Sequence, residues 1–204
     1  LSIVSLVMSQ QPLNRIYLDS NATTKIDPAV KKTLIDLIDL MPLNASSVHS
    51  EGQQAKTLLA KARRDLAQEL GVKHSEIVFT SGATEGLNML LRGAAEAFYQ
   101  KHKRPMNTVS TEIEHSCVFE TLKALKEEGF INLAYLPVDK SGAPKLHDFE
   151  KACKKGVDLV ALSAANSETG AKLDLEGFSV CADRYSALLV VDATALSGKE
   201  VVAL

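Results

Sequence analysis

The sequence predicts an α/β fold with three layers, in which a mostly parallel sheet carries helices on both faces. Apolar strand-like segments alternate with amphipathic helical patterns along most of the chain. Glycines stand where the predicted helices end, as at Gly129 and Gly156. With 204 residues, 46% of them hydrophobic and 24% charged, the chain can bury a full core. Because strand and helix alternate, consecutive strands are expected to run parallel.

Two helical segments come first. Asp27-Pro28 is expected to open a helix that runs to about Leu40, since proline suits the first helical turn. A short extended segment, "IYLDS", precedes it. From Glu51 to Leu70 the apolar residues recur at helical spacing, and Gly71 ends the run. The sequence therefore predicts a second, amphipathic helix there.

The alternation of strands and helices follows. Strands are predicted at Glu76–Thr80, Asn107–Thr111, Asn132–Val138, Val157–Ser163 and Ala187–Asp192. Helices are predicted near Glu85–Tyr99, Cys117–Glu128, Leu146–Lys154 and Leu175–Tyr185. The turn residues in "VDKSGAP" separate the third strand from the helix after it.

Composition argues against several classes of site and of binding partner. A net charge of −2, without a basic stripe, predicts no nucleic-acid partner. The three cysteines are far apart and form no CxxC pair, which argues against a zinc site or a disulfide framework and favours a reducing, cytoplasmic setting. Residues 1–15 are predicted to be an irregular leader, because the apolar run "LSIVSLVM" is too short to span a membrane.

Polar side chains follow several of the predicted strands. Ligands of open parallel sheets bind outside the carboxyl ends of the strands, so these residues are the candidates for a site. They are Ser81-Gly82-Ala83-Thr84, Glu114-His115, Asn166 with Glu168, and Asp192 with Thr194. The sequence predicts that they share one edge of the sheet.

Each candidate also has a simpler structural interpretation. The small residues before Glu85 can cap a helix, a lone histidine such as His115 is often structural, and Asn166 can be a turn residue. Asp192 is either a turn former or a ligand for a cation or a protonated ring. As a set, a helix N-terminus, an imidazole, an amide and a carboxylate are what pyridoxal phosphate needs.

Six motifs occur in order along the chain: "YLDSNATT" (Tyr17–Thr24), "NASSVHSEG" (Asn44–Gly52), "IVFTSGATEGLN" (Ile77–Asn88), "TEIEHSCV" (Thr111–Val118), "AANSETG" (Ala164–Gly170) and "VVDATALSGK" (Val190–Lys199). Their order resembles the NifS/IscS type of cysteine desulfurase, in the class V aminotransferase branch of fold-type-I pyridoxal phosphate enzymes. The resemblance implies that residues 16–204 are the amino-terminal portion of the cofactor-binding large domain.

The resemblance also implies roles for single residues. Gly82, Ala83 and Thr84 resemble the site of the cofactor phosphate. His115 resembles the catalytic histidine that stacks on the pyridine ring and shuttles protons. Asn166 resembles the asparagine near the phenolic oxygen of the cofactor, and Asp192 the partner of the pyridine nitrogen. The implied reaction converts L-cysteine to L-alanine and leaves the sulfur on an enzyme thiol as a persulfide.

The chain departs from the family pattern in ways that limit this inference. Ala195 stands where the family has a glutamine, and Ala45 and Ser167 are milder changes. The family's cofactor-binding lysine, in a Ser-x-His-Lys segment, has no counterpart in these residues; nor do the small C-terminal domain, the persulfide loop and the arginine that binds the substrate carboxylate. Lys199 belongs to a different motif, and Cys117 is expected to be a small helix-start residue. The chain alone is therefore expected to be inactive.

Partners and alternative functions follow from the same resemblance. It implies a homodimer or a complementing C-terminal chain, and a sulfur-acceptor protein of the kind used in iron–sulfur cluster biogenesis. A selenocysteine or cysteine lyase of the same branch, and a non-catalytic truncated or degenerate relative, stay open as alternatives. A nicotinamide-binding Rossmann domain is disfavoured, because no GxGxxG follows any predicted strand.

Overall fold

A computed structural model describes residues 16–40 and 44–200. The chain divides between Leu59 and Ala60 into two compact units. The predicted leader, residues 1–15, lies outside the described residues. Within the described ranges, no helix combines the length and the hydropathy needed to cross a bilayer.

The first unit contains helix α1 (Pro28–Ile38) and the start of α2 (Ser50–Leu70). Asp27 caps α1 by accepting the Ala29 N–H at 2.8 Å, and proline occupies the first turn as expected. Near the start of α2, a Cβ on Gly52 would stand 2.2 Å from the Ser47 carbonyl oxygen. Only glycine allows the loop before α2 to approach the helix this closely. Residues 16–20 form no strand with any part of the chain that the structure describes.

The second unit holds the sheet. Its strands are β1 (Met106–Ser110), β2 (Ile131–Tyr135), β3 (Leu159–Ser163) and β4 (Leu188–Asp192). Its helices are the rest of α2, then α3 (Ala83–His102), α4 (Ser116–Glu127), α5 (Leu146–Cys153) and α6 (Leu175–Arg184). The strands pair in the order β2-β1-β3-β4, and every pairing is parallel. The predicted α/β class is confirmed.

Strand β3 shows why the fold has three layers. Val160 and Leu162 pack into a core with α5 and α6, whereas Leu159 and Ala161 pack into another core with α3 and α4. Successive side chains of a strand point to opposite faces, so a continuous apolar run places one core on each face of the sheet. All four of these residues are at most 2% exposed. Helices therefore cover both faces, as the sequence predicts.

The predicted strand Glu76–Thr80 is wrong. Residues His74–Glu76 form a short 3₁₀ helix, and the extended residues after it pair with no strand among those described. The Ile77 carbonyl accepts a hydrogen bond from the Arg63 side chain at 3.2 Å instead. A β-prone pattern indicates extended backbone, but a strand also needs a neighbour to complete its hydrogen bonds, and the pattern carries no information about that neighbour.

The other boundaries differ from prediction by only a few residues. The helix expected to reach Leu40 ends at Ile38, and the helix expected at Glu85 begins at Ala83. Gly71, Gly129 and Gly156 have φ of +69°, +81° and +93° at the ends of α2, α4 and α5. These glycines terminate helices in the left-handed conformation that the sequence predicts.

Candidate functional site

Three of the predicted residues meet around the thiol of Cys117. Its Sγ lies 3.0 Å from Nδ1 of His115. The side chain of Thr84 hydrogen-bonds to the same thiol, and the charge of Asp192 acts on it. The start of α3, the start of α4 and the end of β4 therefore converge at one edge of the sheet. Cys117 itself was not predicted to join them.

The N-terminus of α3 is not capped by a side chain. Its N-cap is Gly82, whose extended φ of 164° is open to any residue. The N–H and the hydroxyl of Ser81 both donate to the Glu85 carboxylate, each at 2.6 Å. These hydrogen bonds from the Ser81 side chain and backbone lower the pKa of Glu85. The capping interpretation of "SGAT" is thus not realised, and the exposed turn from Ser81 to Thr84 can meet an anion.

His115 is the N-cap of α4, and its ring is exposed. Nδ1 accepts the backbone N–H of Cys117 at 3.2 Å. Because a backbone N–H can only donate, Nδ1 carries a lone pair, and the proton of the neutral ring resides on Nε2. His115 therefore has the structural role that the sequence left open, as the cap of α4. The cap uses Nδ1, and the other ring nitrogen, Nε2, is not part of it.

The Cys117 thiol has the character of a neutral group. Burial raises its pKa, the negative charge of Asp192 raises it further, and the hydrogen bond from Thr84 opposes both effects. Reactive cysteines have lowered pKa values, because the thiolate is the nucleophile. These properties agree with the expectation that Cys117 is a helix-start residue and not the sulfur nucleophile.

Asp192 ends β4 and is half-buried. The N–H and hydroxyl of Thr194 both donate to its Oδ1, at 2.9 and 2.6 Å. This turn holds the carboxylate at the sheet edge. Burial raises the pKa of Glu114, and the charge of Asp192 adds to that effect. Ala195 follows in the same turn and contributes only a methyl group.

Asn166 lies apart from the Cys117 contacts and is 9% exposed. Its Nδ2 donates to the Ile113 carbonyl at 2.8 Å. Its Oδ1 accepts the N–H groups of Glu168 and Thr169, each at 2.9 Å. Glu168 itself is exposed. The turn interpretation of Asn166, left open by the sequence, describes the contacts of Oδ1, whereas the bond from Nδ2 reaches a distant part of the chain.

The role of Glu114 is the main feature that the sequence did not reveal. Its carboxylate accepts the Thr111 hydroxyl at 2.5 Å, and both the N–H and the hydroxyl of Ser163. Burial raises the pKa of Glu114, and the hydrogen bonds from Ser163 and Thr111 oppose that shift. The only sequence signal was an acidic residue next to His115, which does not identify its partners.

Comparison with known proteins identifies the family. The model of the family "Aminotransferase class-V" matches residues 16–204. The chain belongs to the class-V aminotransferases. This class-V chain is 35% identical over 185 residues to the mitochondrial cysteine desulfurase of Eremothecium gossypii. The matched region covers 90% of the chain and 37% of that relative. It is 35% identical over 174 residues to the cysteine desulfurase of Rattus norvegicus, covering 84% of the chain and 38% of the relative.

Comparison with solved structures supports the same family. A NifS-like protein superposes with a TM-score of 0.82 and 37% identity, covering 88% of this chain and 49% of that one. The NifS/IscS resemblance and the corresponding fold are confirmed. The class-V chain spans less than half the length of these relatives. Class-V aminotransferases of the NifS type are enzymes that use pyridoxal phosphate.

The comparisons contradict one prediction. The relative from Eremothecium gossypii is named mitochondrial, and one from Encephalitozoon cuniculi, 33% identical, is named mitosomal. These names point to mitochondria, so the expected cytoplasmic location of the class-V chain is wrong. The spacing of the cysteines, on which the prediction rested, does not distinguish the cytosol from an organelle.

Proposed function

We propose that this chain supplies part of the active site of a pyridoxal-phosphate-dependent cysteine desulfurase, which converts L-cysteine to L-alanine and transfers sulfur to an enzyme thiol as a persulfide. The observation that carries the proposal is the meeting of Thr84, His115 and Asp192 around Cys117. The relatives named cysteine desulfurase support the choice of reaction.

The residues present fit the cofactor. The uncapped start of α3, at Gly82, Ala83 and Thr84, offers backbone N–H groups and the positive end of a helix dipole to a phosphate. When bound, pyridoxal phosphate supplies an electron sink for charge that develops on the α-carbon of the substrate. Asn166, through the second hydrogen of its amide, would lie towards the phenolic oxygen.

Asp192 and His115 would act on the ring. Thr194 holds Asp192 through Oδ1, and the carboxylate favours a protonated pyridine nitrogen because opposite charges stabilise each other. The exposed His115 ring would stack on the cofactor and move a proton at Nε2, since Nδ1 is committed to α4. Neither step uses Cys117 as a nucleophile.

We further propose that a polypeptide of residues 1–204 does not turn over cysteine alone. Its sequence contains no Ser-x-His-Lys segment to hold the cofactor covalently. Activity would require a complementing C-terminal segment, and a homodimer and a sulfur-acceptor protein for iron–sulfur cluster biogenesis are proposed on the family resemblance.

The test is a titration of the 204-residue chain with pyridoxal 5′-phosphate, followed by visible absorption. Wild type should bind saturably, and Asp192→Asn and His115→Ala should each bind more weakly, by about tenfold for one lost charged or stacking contact. Asp183→Asn, an exposed aspartate on α6, is the matched control and should behave as wild type. Equal binding by all four proteins would contradict the proposed cofactor site. Release of alanine from cysteine by the chain alone would contradict the proposed inactivity.

A further inference from the structure

Cys153 and Cys181 form a pair of buried thiols between α5 and α6. Cys153 is the last residue of α5, and Cys181 lies near the end of α6. Their side chains are only 4% and 5% exposed, and both belong to the core that these helices form with the sheet. The candidate cofactor site is built from α3, α4 and the end of β4, so this pair of thiols is separate from it.

The packing of α5 on α6 places the two cysteines side by side. Phe149 of α5 stacks on Phe178 of α6, with ring centroids 5.0 Å apart. Cys153 follows Phe149 by four residues. Cys181 follows Phe178 by three, and both spacings keep a side chain on the same face of a helix. Because α5 and α6 lead into the neighbouring parallel strands β3 and β4, they run in the same direction, and both cysteines lie one turn beyond the stacked rings.

The two thiols interact directly, and they are not equivalent. Burial, the charge of Cys181, the hydrogen bond to Cys181 and the charge of Glu150 together raise the pKa of Cys153 to about 12. Cys153 therefore keeps its proton at neutral pH and donates it to the Cys181 sulfur. Since the thiolate is the nucleophilic form of a cysteine, Cys181 is the sulfur of the pair that can react first.

A groove between α5 and α6 reaches only one member of the pair. Its volume is about 360 Å³, and its lining includes Glu150, Val180, Cys181 and Arg184. Cys153 is not part of that lining. A water molecule occupies about 30 Å³ in the liquid, so a small oxidant such as a peroxide fits in this groove. Access therefore selects the same sulfur, Cys181, for the first reaction.

We propose that Cys153 and Cys181 are a redox-active dithiol, a modification site at which hydrogen peroxide forms a disulfide that fastens α5 to α6. The Cys181 thiolate attacks one peroxide oxygen and the O–O bond breaks, which gives a sulfenic acid and, with the proton that the thiol released, one water. The Cys153 sulfur then attacks the Cys181 sulfur. The S–S bond forms, and the sulfenic oxygen leaves as a second water with the Cys153 proton. The two sulfurs lose two electrons, which the peroxide gains.

The first experiment treats the folded 204-residue chain with hydrogen peroxide and maps disulfides by mass spectrometry of unreduced peptides. We expect a disulfide between Cys153 and Cys181, because Cys117 packs against the core on the other face of the sheet. In urea every pairing of the three cysteines should form, at rates within a few-fold of one another, since loop-closure entropy varies slowly with loop length. A disulfide to Cys117 in the folded chain, or no disulfide, would overturn the proposal.

Single variants test the order of attack. Cys153→Ala leaves Cys181 at the groove without its partner, so peroxide should convert it to a sulfenic or sulfinic acid. Cys181→Ala leaves only the thiol that keeps its proton, so Cys153 should stay unmodified over the same time. Cys117→Ala retains the pair and is the control, in which the disulfide should form as fast as in wild type. Equal oxidation of the remaining thiol in Cys153→Ala and Cys181→Ala would contradict the assigned order.

Urea unfolding tests whether the disulfide fastens the two helices. The bond would close a loop that contains β3 and the turn after it, which restricts the unfolded chain. The oxidised chain should therefore unfold at a midpoint about 1 M higher in urea than the reduced chain, and dithiothreitol should reverse the shift. Peroxide should not raise the midpoint of Cys153→Ala, which cannot form the bond. A disulfide that leaves the midpoint unchanged or lowers it would mean that the helices must distort to form it, and would overturn the proposal.

Discussion

Replacing Asp158 with alanine should destabilise the second unit at the start of β3. The Asp158 carboxylate accepts two hydrogen bonds from the Arg104 guanidinium, at 2.8 and 2.9 Å, and the backbone N–H of Asn107 at 2.8 Å. These contacts join α3's end, the start of β1 and the residue before β3. The Asp158 side chain therefore links the residue before β3 to two positions that lie more than 50 residues earlier in the sequence.

The expected loss can be worked out from the exposure of each partner. The Arg104 side chain is 49% exposed and that of Asp158 is 18% exposed, so solvent screens their ion pair, which is worth about 0.5–1 kcal/mol. The Asn107 N–H loses its acceptor in a half-buried position, which costs about 1–2 kcal/mol. Asp158→Ala should therefore lower the free energy of unfolding by about 2 kcal/mol at neutral pH.

The loss of stability on replacing Asp158 should depend on pH. Burial raises the pKa of Asp158, but the hydrogen bonds from Arg104 and the Asn107 N–H, with the charge of Arg104, outweigh it and hold the pKa below its usual value. A lowered pKa in the folded state gives a stabilisation that is fully present above the unfolded pKa, about 3.9, and is lost as the pH falls through the folded value. The stability difference between wild type and Asp158→Asn should therefore narrow below about pH 4.

The assay is urea unfolding of wild type, Asp158→Ala, Asp158→Asn and Arg104→Ala at neutral and acidic pH. Asparagine keeps an oxygen for the Asn107 N–H, so Asp158→Asn should lose less than Asp158→Ala. Arg104→Ala should also lose less, although it additionally removes the guanidinium that lies 4.7 Å above the Phe98 ring. An equal loss in Asp158→Ala and Asp158→Asn, independent of pH, would refute this reasoning.

Three further substitutions or reactions test other parts of the structure. Phe178→Ala removes a fully buried ring of the α5–α6 core and should cost about 3–5 kcal/mol by urea unfolding, while the exposed Val180→Ala should cost little. Burial and the neighbouring Cys181 raise the pKa of Cys153 to about 12, whereas Cys117 is only partly buried. Peptide mapping after brief alkylation should therefore find Cys117 modified before Cys153. Modification of Cys153 first would contradict this expectation. Glu85→Gln removes a negative charge beside the proposed phosphate site and should strengthen pyridoxal 5′-phosphate binding roughly threefold in the titration; weaker binding would count against that site.

Local sequence patterns were sufficient to predict most of the fold. Strand β3 reads as one continuous apolar run, and a strand buried on both faces has no other pattern available. The helices show apolar residues at helical spacing, and α2, α4 and α5 end at glycines with positive φ. These signals lie within a few residues of the element that they determine. The position of the sheet edge, and hence the candidates at His115 and Asp192, follows from topology alone.

Contacts between distant residues could not be predicted in the same way. Arg104 and Asp158 are 54 positions apart, and Glu114 and Ser163 are 49 apart. Nothing in the neighbouring residues specifies these partners, because the fold creates the contact. The incorrect strand at Glu76–Thr80 has the same origin, since a strand is defined by a distant neighbour.

The structural and functional interpretations of a site residue can both be correct, provided that they use different atoms. His115 is exposed and caps α4 with Nδ1, and Asp192 forms its turn with Oδ1. Each role within the fold fixes the side chain, and that fixed geometry prepares the remaining atom for chemistry without further loss of side-chain freedom. Asn166 follows the same rule, because its oxygen serves its own turn and one amide hydrogen serves Ile113, which leaves the second amide hydrogen. By this criterion each of the three residues keeps one atom for the proposed cofactor.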